Sequence, residues 1–600
     1  MRIKPARPAK LCAYDFETSL IAEGTPRPLY LTAFSPSFQI ETRIRDMSHL
    51  TAVLRTQFLV PELQRTKFIA WNGNRFDAYF IAAALIREDD LLLKPYLTRN
   101  KSLRGLRVSL RWDADGNEYD ERYAPSWEFL DGIAMLGLVG TSLEKLLANF
   151  CPELPKLKSI DFSAGEQFDP DNPKHREYAM RDSEGLYHAM DRAQRIMLDN
   201  FNEPLAVTMG GVCIKVFAAH IPAEVKVDAL VFDLERIVRG WVMRGGFCYC
   251  AKRYSGPVWK YDLNQAYAAA MREARLPHGV PIYGRGEPPA GMPALVEVSG
   301  SNPDNEIPFY CRAEIDGRMR SVFAIKEFQR TWITGIEYEQ LKAEGWKLRP
   351  SQFYAWCDHF NMREYVDKLE RVRTTCEGGP NGPIGTMMKA TGNHSYGKTL
   401  EHIEPLEFVI AYECPDDCVP YFDNGADEIR HVFYRFSEDR VAKPYHQPHL
   451  GAMITAHVRM VVRRAALLAP DAWLYADTDC VVFSRDVTAM LDIDPKRYGA
   501  WKVEESGAVY KIIAKKVYAR VDEFTTKNAK AKGLNVKRLT ADDFAAWYEG
   551  TEPEQVQTQL NNFLAVLCGE EMYRLQKRRG TAVEGGLTRP HKGERAAPVV

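Results

Sequence analysis

The sequence predicts a multidomain protein that mixes α/β and α+β units, and three observations carry that expectation. The chain has 600 residues, too many for one hydrophobic core. Strand-like and helix-like segments are mixed along its length, without an internal repeat or low-complexity tract. The composition, 46% hydrophobic and 26% charged, is that of a globular chain with no apolar run long enough to span a bilayer.

The opening MRIKPARPAK is basic, but LCAYDFETSL follows with acids where a secretory signal carries an apolar stretch. The cytoplasm is the expected location. Of the 12 cysteines, Cys414 and Cys418 are four apart and Cys248 and Cys250 two apart. Neither set has a partner pair at zinc-finger distance, so reduced structural thiols are expected.

A first boundary is expected near residue 200, after REYAMRDSEGLYHAMDRAQRIML. The Gly/Pro-rich GRGEPPAGMPA (284–294) marks an insertion, EGGPNGPIG (377–385) a turn before a helix, and PHKGERAAPVV a frayed tail. Net charge is −1, yet Lys511, Lys515, Lys516, Arg520, Lys527, Lys530, Lys532, Lys537 and Arg538 crowd one stretch. Lys577, Arg578, Arg579, Arg589, Lys592 and Arg595 follow it. Alone, such a run reads as a solvated lysine face; a local basic surface can also neutralise phosphates.

The acids carry the chemistry. In Tyr14-Asp15-Phe16-Glu17-Thr18, at the end of the apolar LCAY, a strand would put Asp15 and Glu17 on one face. Two carboxylates so placed repel unless a hard cation lies between them. FIAWNGNRFDAYFI sets Asp77 inside an apolar segment, where an unpaired carboxylate is costly, with Asn72 available to orient it. Tyr178 and Asp182 share a helix face at i, i+4. Asp15, Glu17, Asp77 and Asp182 would together suit two-metal phosphodiester hydrolysis.

A second set lies far along the chain. WLYADTDCVVF reads as a β-hairpin with Asp477 and Asp479 at its tip, and VWKYDLNQAY ends an apolar run at Asp262. A lone Asp-Thr-Asp is ordinarily a polar turn. Joined by Asp262, the three acids could hold the two ions of phosphoryl transfer. In KATGNHSYGK a helix would line up Lys389, Asn393 and Tyr396, a cation for triphosphate oxygens and an aromatic for a base. Lys516 and Tyr518 could hold a primer strand.

In this order the motifs resemble those of family B DNA polymerases, most closely the protein-primed enzymes of bacteriophages and linear plasmids. Asp15-Phe16-Glu17, Asn72 with Phe76-Asp77, and Tyr178 with Asp182 are similar to the three motifs of a 3′–5′ exonuclease. The resemblance implies that Lys158 is the catalytic exonuclease lysine and that Ser142-Leu143 binds a single strand. It further implies that Tyr267 is the steric gate against ribonucleotides, that Lys389 to Gly397 bind the dNTP, and that Lys516-Val517-Tyr518 grip the primer. Met243-Arg244-Gly245-Gly246 carries the glycine pair that helps pass DNA between the two sites, without the tyrosine usual at its head. Gln265-Ala266, Ala268 and His394-Ser395 also depart from the family pattern, but no metal ligand is lost.

The implied architecture is a ribonuclease-H-like exonuclease domain at 1–202, then a right hand. Palm at 203–272 and 445–530 would be interrupted by a terminal-protein-type insertion at 273–357, fingers at 358–400 and a second insertion at 401–444. Thumb and tail would fill 531–600. The implied cofactor is Mg²⁺, two ions per site, with Mn²⁺ as a substitute. The implied partners of a monomeric enzyme are primer–template and single-stranded DNA, dNTPs and a priming terminal protein. No membrane is expected. The rival readings are a family B polymerase that starts without a primer, an exonuclease with a decayed polymerase half, and a catalytically dead DNA-binding scaffold.

Overall fold

The computed structural model describes residues 5–19, 24–98, 102–120, 122–160, 166–222, 225, 230–401, 406–423, 427–436, 446–567 and 569–580. The C-terminal tail, with Arg589, Lys592 and Arg595, lies outside them. In the N-terminal region the strands Leu11–Thr18, Lys67–Ala70 and Ser126–Asp131 run parallel, and antiparallel strands extend the sheet on both sides. Alternation sorts the side chains of Leu11–Thr18. Cys12, Tyr14 and Phe16 enter a core with the helix Asp77–Leu85, whereas Leu11 and Ala13 pack toward the long helix Pro173–Phe201. Asp15 and Glu17 therefore point to the long-helix side, where Asp182 is carried.

The second large sheet has seven antiparallel strands. Their order is Ala529–Ala531, Val517–Arg520, Trp501–Ala514, Tyr254–Leu263, Cys480–Phe483, Trp473–Thr478 and Phe247–Cys250. Strands far apart in sequence thus become neighbours, Asp262 pairing with Cys480 and Cys248 with Asp477. The helices Ala266–Glu273, Pro383–Thr399 and Pro448–Leu467 share a core with this sheet and with the long N-terminal helix. Pro383 opens the helix that EGGPNGPIG precedes, at a position where its missing N–H costs nothing.

Residues between 282 and 355 build a four-stranded sheet with its own apolar core, closed by the helix Gly335–Ala343 and accompanied by the hairpin Phe309–Ile315/Arg318–Ala324. The strands Leu406–Ile410, Val419–Asp423 and Asp427–Phe436 extend the N-terminal sheet, Ile410 pairing with Leu93. Near the C-terminus, Phe544 and Trp547 pack against the palm strands, while Phe563, Leu564 and Met572 enter the N-terminal core. No helix among the described residues is long and apolar enough to cross a membrane.

Candidate active sites

The N-terminal acids converge. Ligand oxygens of Asp15, Glu17 and Asp182 all lie within 4.8 Å of one another. Asp182 is buried, and its Oδ1 has no hydrogen-bond partner. Burial, then the neighbouring Glu17, pushes the Asp15 carboxyl well above its ordinary value; burial and Asp182 push Glu17 up to about 7. Three crowded carboxylates with an orphaned buried oxygen are the donor set a hard divalent cation takes.

Asp77 is the fourth acid of the expected set. It stands beside the other three at the start of the helix Asp77–Leu85, and its Oδ1 accepts the Phe16 N–H at 3.1 Å. That backbone amide, and not Asn72, orients it; Asn72 is exposed, in a left-handed conformation (φ 69°). The lysine that lies at the acids is Lys156, not the expected Lys158. Lys156 pairs with Asp182 and lies 4.7 Å over the Tyr178 ring, whereas Lys158 is exposed and 3.7 Å from Glu144. Both lysines sit in an irregular segment, where no periodicity distinguishes them.

A cleft of about 1950 Å³ lies between the Trp71–Asn72 turn and the helix Pro383–Thr399. Trp71, Asn72 and Ser142 line it on one side, Asn393 and Tyr396 on another. Ser142 caps the helix Leu143–Phe150, accepting the Lys145 N–H at 3.3 Å, and Leu143 is half-buried beside it.

In the palm, Asp477 and Asp479 flank Thr478, whose left-handed φ of 67° turns the tight hairpin between Trp473–Thr478 and Cys480–Phe483. The adjacent strand pairs Asp262 with Cys480, so the three acids are neighbours at one end of these interior strands. Two lysines that carry no recognisable motif attend them or their neighbours: Lys502 lies 2.9 Å from Asp262, and Lys260 2.7 Å from Glu504. Lys516, in a left-handed conformation (φ 60°), lies 3.2 Å from Asp477, and its N–H donates to the Tyr475 hydroxyl at 3.1 Å. Burial, then Asp262, pushes the Asp479 carboxyl up to about 6. Lys502 and Lys516 thus each pair with one of these acids, and the three carboxylates are not gathered as tightly as the N-terminal three.

Opposite the acids stands the helix Pro383–Thr399. Tyr396 stacks on Tyr267 with ring centroids 4.3 Å apart and planes 17° from parallel. Lys389 senses Asp262 and Asp479, although burial, Arg373 and Lys502 lower its proton affinity. Tyr518 meets the Tyr475 ring edge-on at 5.5 Å, across a cavity of about 170 Å³ that Asp477 and Asp479 also line. Gly246 abuts the hairpin so closely that an added Cβ would lie 2.9 Å from the Thr478 Cα, while Gly245 meets nothing within 4 Å. In the basic stretch, Lys516, Lys527, Lys530, Lys532, Lys537 and Arg538 are exposed, as a phosphate-facing surface would be.

The chain folds around a ten-stranded mixed sheet in its N-terminal region and a seven-stranded antiparallel sheet after it. Residues 167–414 match the family described as DNA polymerase type B, organellar and viral. The chain is 24% identical to the DNA polymerase of Bacillus phage phi29 over 311 residues, 48% of this chain and 50% of that one. It is 25% identical to the DNA-directed DNA polymerase of Enterobacteria phage PRD1 over 278 residues, 46% and 48% of the two chains. The chain spans about half the length of the curated relatives it matches. In fold it is similar to phi29 DNA polymerase complexed with primer–template DNA and incoming nucleotide, with a TM-score of 0.70 at 18% identity, covering 96% of this chain and 100% of that one. Its sequence is similar to that of the organellar and viral type B DNA polymerases over residues 167–414, and its fold to that of phi29 DNA polymerase over nearly its whole length.

Proposed function

We propose that this protein is a DNA-directed DNA polymerase with a proofreading 3′–5′ exonuclease, copying a viral or linear-plasmid genome from a protein primer with strand displacement. One observation carries the reading: Asp262, Asp477 and Asp479, far apart in sequence, meet on adjacent strands opposite Lys389 and the Tyr267–Tyr396 stack. The primer 3′-hydroxyl attacks the α-phosphate of a dNTP and pyrophosphate leaves. Asp262, Asp477 and Asp479 would hold Mg²⁺, which supplies charge stabilisation at the attacking and leaving oxygens. Lys389 neutralises triphosphate oxygens, and Tyr267, braced by Tyr396, closes the floor under the sugar. Lys516 and Tyr518 hold the primer end against the hairpin.

In the N-terminal site Asp15, Glu17 and Asp182 would hold the same cation, with Asp77 beside them. Tyr178 and Lys156 orient the attacking water, and a dNMP leaves. Ser142, Leu143, Asn72 and the Gly245–Gly246 turn line the route of a strand between the sites. DNA and dNTPs are the substrates, a terminal protein the priming partner, and the host cytoplasm the place of action.

The test is extension of a labelled primer–template by the purified protein with Mg²⁺. Elongation with dNTPs and shortening without them is the expected result. Shortening alone would leave only the exonuclease, and neither reaction in a folded sample would leave a DNA-binding scaffold.

A further inference from the structure

Three side chains outside the acid sets form a buried ion triad. Glu337, from the helix Gly335–Ala343 of the first insertion, lies between Arg244 and Arg459, and all three side chains are buried. Its Oε2 accepts from Arg244 Nη2 at 2.6 Å and from the N–H and Oγ1 of Thr334, each at 3.0 Å. Its Oε1 accepts from Arg459 Nη2 at 2.8 Å and Nε at 3.2 Å. The remaining arm of Arg459 turns away from the carboxylate. Its Nη1 donates to the backbone carbonyls of Arg244 at 2.9 Å and Gly245 at 3.2 Å.

The next residue, Gly246, is the one packed on Thr478 between the two hairpin acids. The strand it opens pairs Phe247 with Thr478 and Cys248 with Asp477. A continuous path of bonded and close-packed groups thus runs from the insertion's carboxylate to the backbone that carries Asp477 and Asp479. Burial alone does not call for charges here, since well-packed apolar residues commonly replace such a triad without loss of stability. A planar guanidinium can bridge a carboxylate and two carbonyls at once, which no apolar side chain can.

We propose that Glu337 is a positioning residue for the polymerase centre, fixing the Gly245–Gly246 turn against the catalytic hairpin through Arg459 and Arg244. The insertion is then a structural part of the nucleotide-adding site as well as an accessory surface. This inference rests on the polymerase reading above.

The test measures nucleotide addition and single-strand degradation by the wild-type chain, Arg459→Lys, and the combined apolar variant Arg244→Met/Glu337→Leu/Arg459→Met. The lysine keeps a charge for Glu337 but cannot span both the carboxylate and the two carbonyls. In both variants kcat for nucleotide addition falls about tenfold or more, the scale of a small misplacement of reacting groups. KM for dNTP and the rate of single-strand degradation stay within about twofold, because neither Lys389 nor the N-terminal acids are touched. The apolar variant melts close to wild type, which separates positioning from stability. Unchanged kcat in either folded variant overturns the inference, as does a parallel loss of both activities. A wild-type chain that adds no nucleotides would instead overturn the polymerase reading itself.

Discussion

At the scale of single residues, two sets of acids can be separated by substitution. Asp479→Ala is expected to abolish primer extension, by about 10³-fold or more, and to leave degradation of a single strand intact. Asp15→Ala with Glu17→Ala is expected to do the reverse, both read on one labelled substrate with and without dNTPs. A folded mutant that loses both activities would sink the two-site assignment. The lysines divide as sharply. Lys156 contacts both Asp182 and the Tyr178 ring, whereas Lys158 is solvent-exposed. Lys156→Ala should slow single-strand degradation about 10²-fold, the usual scale of a lost positioning group, and Lys158→Ala should be near wild type. The opposite ranking would return the role to Lys158.

At the scale of elements, the helix Pro448–Leu467 packs against both the seven-stranded sheet and the sheet between 282 and 355. His449 on this helix is buried and stacks on Trp356 with ring centroids 5.6 Å apart and planes 8° from parallel. Its Nδ1 has no partner, and burial lowers its pKa to about 3 from an ordinary 6.5. The sign follows from proton counting. Below about pH 6.5 the unfolded chain takes up a proton that the folded chain refuses, so stability is lost as pH falls toward 3. One such group costs up to about 1.4 kcal/mol per pH unit in that window. His449→Phe keeps a ring against Trp356 and removes the titration. In denaturant melts its stability relative to wild type should therefore improve steadily from pH 6.5 to pH 5; a pH-independent difference would show that His449 does not titrate on unfolding.

At the scale of the whole molecule, the C-terminal segment closes on the N-terminal domain. Phe563 meets Tyr79 edge-on at 5.0 Å, Tyr573 bridges to Gly24, and Thr25 donates to Glu571 at 2.8 Å. The strand Leu406–Ile410 reaches the same domain by pairing Ile410 with Leu93, and Lys94, Glu407 and Arg435 form an ion-pair chain beside it. Two segments distant in sequence are thus both anchored on the N-terminal domain. Phe563→Ala removes a buried ring at one anchor, at a cost of about 3–5 kcal/mol. It should lower the melting temperature and shorten the products made per binding event when a trap captures released enzyme. Full-length products under the trap would mean that this anchor does not hold the protein on DNA.

Much of the site was legible because strand and helix periods are local. Alternation alone put Asp15 and Glu17 on one face, the i, i+4 rule put Tyr178 beside Asp182, and the apolar arms around Asp477-Thr478-Asp479 marked a hairpin with acids at its tip. Lys156 was not legible, because neighbouring lysines in an irregular segment have no period to separate them. Lys502 was not, because it becomes a partner of Asp262 only through the pairing of distant strands. The sequence by itself determined which residues could carry metal chemistry, since residue type and local backbone decide that. The tertiary structure decided which of them meet, that Asp77 accepts the Phe16 amide, and that Glu337 pairs with Arg244 and Arg459 beside the Gly245–Gly246 turn. Those outcomes depend on long-range strand register and on the burial of charge, which exist only once the chain has closed on itself.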